Sequence, residues 1–177
     1  MTSEEKHLIA DCRIMVIGVS DFIDCVIAEL IKSGFMSISI ISALEEQPDM
    51  SFTDMVAEYV DAGRSCIKED VKIPIIYPFD FVEGAGAIVI MPGDDNELQH
   101  KDNLRLWAAE YMAGYCAFWN IEGCEWLQFA LPEIREAKTS EAAQRTAAHI
   151  CAKIAANIAV GRNVKHFPRF YLSKNLE

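Results

Sequence analysis

The amino-acid sequence predicts an α/β fold with a mainly parallel, doubly wound sheet and helices on both of its faces. The first observation is a strand–helix–strand pattern: an apolar strand at 14–17, Gly18 at the turn, an amphipathic helix, and a second apolar strand at 38–41. The second is the fully apolar segment 87–91, which is typical of a central parallel strand. Because strands and helices also alternate elsewhere, we expect a Rossmann-like domain. A length of 177 residues fits a single domain spanning 1–177.

Each predicted element follows from a local pattern. The helix at 21–33 has apolar side chains at helical spacing, and Gly34 follows as its stop. Ser51 or Thr53 is expected to cap a helix that ends near residue 62. In chain order, the predicted elements are helix 3–10, strand 13–17, helix 21–33, strand 38–41, helix 53–62, strand 73–77, strand 87–91, helix 103–115, strands 116–119 and 124–131, helix 140–160, and an extended edge segment at 164–173.

Prolines, turns and alanines define the elements of the second half. Pro74 and Pro78 bracket a strand that is therefore expected to be short or at a sheet edge. The sequence "NIEG" at 120–123 is expected to form a turn between two strands. Thr139 or Ser140 caps the last long helix, and its many alanines allow neighbours to approach closely. We therefore expect this helix to pack at the centre of the domain.

Net charge restricts the classes of partner, and the spacing of the cysteines indicates their redox state. The formal net charge is −11 and the pI is about 4.8, so the chain repels nucleic-acid phosphates and anionic lipid, and neither partner is expected. No apolar run approaches the ~20 residues of a membrane span, and no signal peptide is apparent. The six cysteines include no C-x-x-C pair, which indicates reduced thiols in a cytoplasmic protein.

The loop after the first strand is the first candidate ligand contact, because such sheets bind ligands beyond the carboxyl ends of their strands. Gly18 permits the turn, but Ser20 and Ile23 stand where a phosphate-binding loop usually has two more glycines. Ser20 still offers a hydroxyl and an N–H group. Asp21 either caps the helix or competes with a phosphate for its positive end. The loop is thus either a phosphate-binding loop or a self-capped turn.

Two further loops carry polar side chains. Ser42 ends the second strand, where a ribose-binding acid is expected, and Glu45 follows nearby. The sequence "PGDDN" follows the apolar strand 87–91, and its carboxylates suit Mg²⁺ and, through it, nucleotide phosphates. The alternative is a turn or helix-cap cluster, since Asp and Asn favour both. We expect these strand ends to converge on one crevice. The candidate site residues are Gly18, Ser20, Asp21, Ser42, Asp95 and Asn96.

The order of these parts resembles the ThiF/MoeB/HesA family of E1-like enzymes. "KHLIADCRIMVIG" resembles the family's lead-in to its first strand, and "GVSDFIDCVIAELIKSGFMSISIIS" matches its glycine loop, helix and second strand in length. "AIVIMPGDDN" resembles the strand that ends in Thr-Asp-Asn. The resemblance implies an adenylyltransferase that uses ATP and Mg²⁺, with Asp95 serving the metal. It also implies a homodimer or heterodimer acting on a ubiquitin-like carrier protein or a small carboxylate.

Departures from the family pattern leave three hypotheses for function. Ser42 and Leu44 replace two acids, the arginine after the second strand has no counterpart, and the zinc-binding cysteine pairs are missing. Losing a transition-state arginine alone costs roughly 10³-fold in rate. The first hypothesis is an adenylyltransferase with a degenerate ATP site, and the alternative is a non-catalytic binding or scaffold subunit. An NAD(P)-dependent oxidoreductase ranks third, because no Tyr-x-x-x-Lys motif is present.

Overall fold

The structure, a computed structural model, describes residues 1–42 and 46–175. Leu44 and Glu45, named above for the second loop, lie outside the described residues. The elements in chain order are α1 (Ser3–Asp11), β1 (Arg13–Gly18), α2 (Ser20–Ser33), β2 (Ser37–Ser42), β3 (Met55–Glu58), β4 (Ile75–Asp80), β5 (Gly84–Ile90), a 3-10 helix (Glu97–His100), α3 (Leu104–Phe118), α4 (Glu125–Arg135), α5 (Glu141–Ala159) and β6 (Tyr171–Lys174).

The six strands form one mixed sheet in the order β2-β1-β3-β4-β5-β6. The first four strands in this order are parallel to one another, whereas β5 is antiparallel to both of its neighbours. The α/β, Rossmann-like fold class is therefore confirmed. Along the chain, β1 connects to β2 on one side and β3 then pairs on the other side of β1. The point where strand order reverses thus lies between β1 and β3, where folds of this class bind their ligands.

Side-chain alternation along the strands builds a separate core on each face of the sheet. In β1, Ile14 and Val16 face the core that contains α2 and α5, and Met15 and Ile17 face the core that contains α3 and α4. The prediction of helices on both faces is confirmed. The alanine-rich helix α5 contacts α2, β4 and β5. Its predicted central packing position and its Ser140 cap are confirmed, because the Ser140 hydroxyl accepts the Ala143 N–H.

Three predicted elements are wrong. Residues 55–58 form β3 rather than a helix, since a segment buried on both sides between β1 and β4 takes the conformation of its neighbours. The strand predicted at 116–119 belongs to the end of α3, and 124–131 begins α4. In α4 the buried side chains recur at helical spacing, and this period outweighs the β-propensity of the aromatic residues. These buried residues are Trp126, Leu127, Ala130, Leu131 and Ile134.

The direction of β5 is a fourth correction. The apolar run was predicted to be a central parallel strand, but β5 pairs antiparallel with β4 in the register Ile75↔Ile90. Only three residues separate β4 from β5, and a parallel crossover needs a dozen or more residues. Val82 turns the chain with a φ of 68°. The short connection therefore forces a hairpin.

The close packing of β5 allows a stability test. A Cβ at Gly84 would overlap the Trp126 ring and the Ser173 carbonyl oxygen, whereas a Cβ at the exposed Gly114 in α3 would meet nothing within 4 Å. We expect Gly84→Ala to lower the free energy of unfolding by about 1–3 kcal/mol through overpacking. Gly114→Ala should raise it by about 0.5–1 kcal/mol through helix propensity. Urea unfolding measures both, and equal midpoints for Gly84→Ala and wild type would contradict this packing of β5.

Candidate functional site

Four of the six candidate residues lie at one edge of the sheet. Gly18 ends β1 and pairs in register with Ser42, which ends β2. Ser20 and Asp21 form the first turn of α2 immediately after Gly18. Ser20, Asp21 and Ser42 are all exposed. The structure thus brings the first and second candidate loops together at the carboxyl edge of the parallel strands.

The first turn of α2 lacks the predicted cap. Its N-cap residue is Val19, which makes no side-chain cap hydrogen bond, so Asp21 does not close the helix end. The Ile23 N–H donates to the Val19 carbonyl at 2.9 Å, as in a regular first turn. The N–H groups before it remain without a side-chain cap and point along the helix axis. This arrangement retains the positive end of the helix dipole at the edge that carries Gly18.

Asp95 and Asn96 lie beyond the opposite end of the sheet. Because β5 is antiparallel, its last residue, Ile90, pairs with the first residue of β4 at the amino edge of the parallel strands. The expectation that β1 and the strand before Asp95 share a carboxyl edge is therefore wrong. Asp95 is exposed, whereas Asn96 is buried.

Asn96 performs the structural role that was the alternative for this loop. Its side-chain oxygen accepts the Leu98 N–H at 3.1 Å and so caps the 3-10 helix. Its amide nitrogen donates to the Tyr77 hydroxyl at 3.3 Å. Asp94, one residue before Asp95, accepts the Met91 N–H at 2.8 Å and contacts the His166 ring at 2.7 Å. These hydrogen bonds hold the loop against β4 and against His166.

Tyr59 lies between β1 and β3, at the position where folds of this class place their ligand crevice. Tyr59 follows β3, and its N–H donates to the Ile17 carbonyl at 2.8 Å. A Cβ added at Gly18 would lie 3.1 Å from the Tyr59 Cβ, so the two residues are in close contact. The Tyr59 ring is 2% exposed and stacks on Phe22 of α2 at 4.4 Å, with 12° between the planes. An aromatic pair therefore occupies the place where strand order reverses.

Asp80 and Arg105 form a buried ion pair, with 3.6 Å between the guanidinium and the carboxylate. Asp80 and Arg105 are almost completely buried, and Arg105 Nε donates to the Asp80 carbonyl oxygen at 2.5 Å. The Asp80 carboxylate accepts the N–H groups of Val82 and Ser140 at 2.8 Å each. Burial raises the pKa of Asp80 despite these donors. The pair connects the β4–β5 hairpin with α3 and with the N-terminus of α5.

A second buried polar chain connects the segment after β3 with β4. Glu58 is 3% exposed and accepts the Ser65 hydroxyl at 2.5 Å and the Cys66 N–H at 2.8 Å. The Ser65 oxygen lies 3.1 Å from the Tyr77 hydroxyl, which in turn contacts Asn96. Burial raises the pKa of Glu58, and hydrogen bonds from Ser65 and Cys66 oppose that rise. Sequence reasoning missed Glu58 because it fell within a predicted helix.

Three cavities of the described residues lie away from Gly18. One of about 360 Å³ lies between α3 and α4, and its lining includes Cys116, Glu122, Cys124 and Glu125. A second of about 310 Å³ shares the two cysteines and is also lined by Lys165 and Arg169. A third of about 280 Å³ lies at the amino edge of the sheet and includes Asp94 and Asn96 in its lining. None of these is lined by Gly18, Ser20, Asp21 or Ser42.

Over residues 1–42 and 46–175, no group of three or more His, Cys, Asp or Glu side chains is arranged to hold a metal ion. In the same part of the chain, no helix is long and apolar enough to cross a bilayer. Comparison with protein-family models and with curated protein sequences finds no match. The magnesium role of Asp95 stays a prediction.

The buried Glu58 carboxyl predicts a pH dependence of stability. Its pKa is raised on folding, so the folded state keeps this proton to higher pH and stability falls as pH rises above about 4.5. Glu58→Gln does not titrate. We therefore expect the unfolding free energy of the variant, relative to wild type, to rise with pH by about 1.4 kcal/mol for each unit of pKa shift.

Urea unfolding between pH 4.5 and pH 8 measures this difference. The exposed Glu110→Gln is the matched control, since it removes the same charge without removing a buried carboxyl. A constant difference between Glu58→Gln and wild type across this range would show that Glu58 does not titrate differently in the folded state.

Proposed function

We propose that this protein is a non-catalytic binding subunit of the E1-like, ThiF-type kind, built on a Rossmann-like fold whose nucleotide crevice is closed. The observation that carries the proposal is the Tyr59 side chain, buried against Gly18 and stacked on Phe22. A phosphate group needs close approach to the backbone of this turn. Tyr59 takes that space with a side chain from the neighbouring strand.

The energetic cost of reopening the crevice supports a non-catalytic role. A nucleotide would have to expose the Tyr59 ring and break its stacking on Phe22. Losing aromatic burial and stacking costs about 2–4 kcal/mol. That cost weakens nucleotide binding by roughly 30- to 1,000-fold. The chain also lacks a carboxylate at Ser42, so little remains to compensate for the loss.

The exposed aromatic surface supports binding to another protein. This surface comprises Tyr115, Phe118, Trp119 and Ile121 at the end of α3. Phe118 and Trp119 are 76% and 62% exposed. Exposed apolar groups that cluster in this way mark interaction sites. The Trp119 ring contacts two of the others, with centroid distances of 6.4 Å to Tyr115 and 5.0 Å to Phe118.

Charges on either side of the aromatic surface favour a homodimer. The larger neighbouring cavity carries Glu122 and Glu125, and the adjacent one carries Lys165 and Arg169. Both cavities share Ile121 in their lining, so the acidic and basic groups flank the same surface. A two-fold axis through it would place the acidic side of one copy against the basic side of the other. Such pairing offsets the repulsion between two chains of net charge −11.

ATP-dependent adenylation of a carboxylate is the second candidate, favoured by the uncapped first turn of α2 beside Gly18. A carboxylate of a ubiquitin-like carrier or a small molecule would attack the α-phosphate of ATP, and pyrophosphate would leave. In this candidate, ATP and Mg²⁺ would bind near Gly18, Ser20, Asp21 and Ser42. Asp95 and Asn96 follow β5 at the other edge of the sheet, which weighs against their joint role.

Calorimetric titration with Mg-ATP, and separately with NAD(P), tests the closed crevice. We expect no binding of either nucleotide to the wild type at millimolar concentration. Tyr59→Ala should open space beside Gly18, so that Mg-ATP binding becomes measurable in the same concentration range. Phe79→Ala is the matched control, because Phe79 is equally buried but belongs to the core on the other face.

Two results would contradict the non-catalytic role. The first is micromolar binding of Mg-ATP to the wild type, and the second is release of pyrophosphate above background with a carboxylate substrate. Urea unfolding of each variant ensures that only folded protein is compared.

Sedimentation equilibrium tests the proposed homodimer. We expect Phe118→Asp to weaken self-association at least tenfold, because it places a charge within the aromatic surface. Phe52→Asp is the matched control: Phe52 is 77% exposed, as Phe118 is 76% exposed, but it lies in the loop before β3. A wild type that stays monomeric at about 100 µM, or equal effects of the two variants, would contradict this interface.

A further inference from the structure

The cavity of about 310 Å³ is lined by cations and apolar groups without an acidic side chain. It lies between the C-terminal end of α3, the start of α4 and the segment 165–172. Its charged residues are Lys165 and Arg169. Four other cavities of the described residues each include at least one Asp or Glu in their lining. In a chain of net charge −11, this cavity is therefore distinguished by its positive charge.

The two cations of the cavity have no counter-ion among the described residues. Lys165 and Arg169 are exposed, and neither forms an ion pair with a carboxylate of residues 1–42 and 46–175. The Lys165 ammonium lies over the Tyr171 ring, 5.3 Å from its centroid, and this contact leaves the charge in place. Both charges are thus available to an anion that enters the cavity.

Hydrogen bonds hold the segment that carries these cations. The Lys165 N–H donates to the Tyr171 hydroxyl at 2.9 Å. The Tyr111 hydroxyl of α3 donates to the carbonyl oxygen of Pro168, which directly precedes Arg169, at 2.6 Å. Because the segment is anchored at both points, the cavity is formed before a ligand arrives. Binding therefore costs little in the ordering of the protein.

The rest of the wall is aromatic and aliphatic. The Phe170 ring meets the Tyr115 ring edge-on, with 5.2 Å between the centroids. Ile121 and Leu172 add aliphatic surface, and the Ile121 N–H donates to the Cys116 carbonyl at 2.9 Å. A volume of about 310 Å³ lies near the lower end of the roughly 300–1,000 Å³ of small-molecule sites. The cavity therefore suits a small ligand with an apolar body.

We propose that this cavity binds a small aromatic carboxylate. The carboxylate accepts hydrogen bonds from the Arg169 guanidinium, whose planar fork matches its geometry, and from the Lys165 ammonium. The aromatic body contacts Phe170 and Tyr115. Inorganic phosphate would match the charges but would leave the apolar wall uncovered. The site goes beyond the proposed function and needs only one folded chain, although the acidic side of a second copy would compete for the same two cations.

Ligand-observed saturation-transfer NMR on the full chain tests the site, with naphthylacetate as the probe and protein at low micromolar concentration. We expect saturable binding with a dissociation constant of about 1 mM. Naphthylacetamide has the same body without the charge, and it should bind roughly tenfold more weakly. Inorganic phosphate at an equal concentration should displace little of the probe, because it gains nothing from the apolar wall.

Charge variants locate the site. Arg169→Gln and Lys165→Gln should each weaken binding of naphthylacetate about two- to fivefold, and the double variant roughly tenfold. Arg145→Gln is the matched control, since Arg145 is an exposed arginine of α5, which packs on the other face of the sheet. This control should bind the probe as the wild type does.

Four results would overturn the proposal: no saturable binding of naphthylacetate to the wild type, equal affinity for the carboxylate and the amide, displacement by phosphate at an equal concentration, or equal affinities of the double variant and Arg145→Gln. A wild type that is monomeric in sedimentation and binds the probe supports the site and contradicts only the homodimer. The two proposals therefore fail separately.

Discussion

The three-residue connection between β4 and β5 is the constraint on which the rest of the structure depends. It reverses the chain, turns an apolar run into an antiparallel strand, and sends the "PGDDN" loop to the amino edge of the sheet. The buried Asp80 holds this connection, because its carboxylate accepts the N–H groups of Val82 and Ser140. Arg105 balances the Asp80 charge and fixes α3 beside the same hairpin. A buried charge without such a partner would cost several kcal/mol.

At the carboxyl edge of the parallel strands, Tyr59 lies in the place where this fold class binds ligands. Tyr59 joins two regions: its ring packs on Phe22 of α2, and the charges of Asp80 and Arg105 act on its hydroxyl. Moving the Tyr59 ring would therefore disturb both α2 and the segment after β3. The fold keeps the turn at Gly18 and the uncapped start of α2 but uses the space between them for its own core. This is why a binding role fits the structure better than adenylation.

At the C-terminal end of α3 the aromatic side chains are exposed to solvent. Where the carboxyl edge buries its aromatic rings, the segment from Tyr115 to Ile121 exposes them between acidic and basic groups. Cys116 in the last turn of α3 and Cys124 before α4 line the cavities beside this segment. Exposed aromatic side chains and charged groups thus lie together at the α3–α4 turn, on the face of the sheet that does not carry α2.

Much of the fold could be predicted from local patterns, and much of the site could not. The β1–α2–β2 unit, the stop at Gly34, the Ser140 cap and the packing of α5 follow from short-range periodicity and capping chemistry. β3 was missed because its four residues are held as a strand only by β1 and β4 on either side. Glu58 and Tyr59 were missed with it, since no local motif distinguishes them from helical residues.

By itself, the sequence determined the α/β class, the two-sided core and the position of Gly18 at a strand end, because periodicity and glycine geometry act over a few residues. Only the tertiary structure decided that Tyr59 lies against Gly18 and that Asp95 follows a strand of opposite direction. Both facts depend on which strands pair and in which direction, and pairing is set by contacts between residues far apart in the chain.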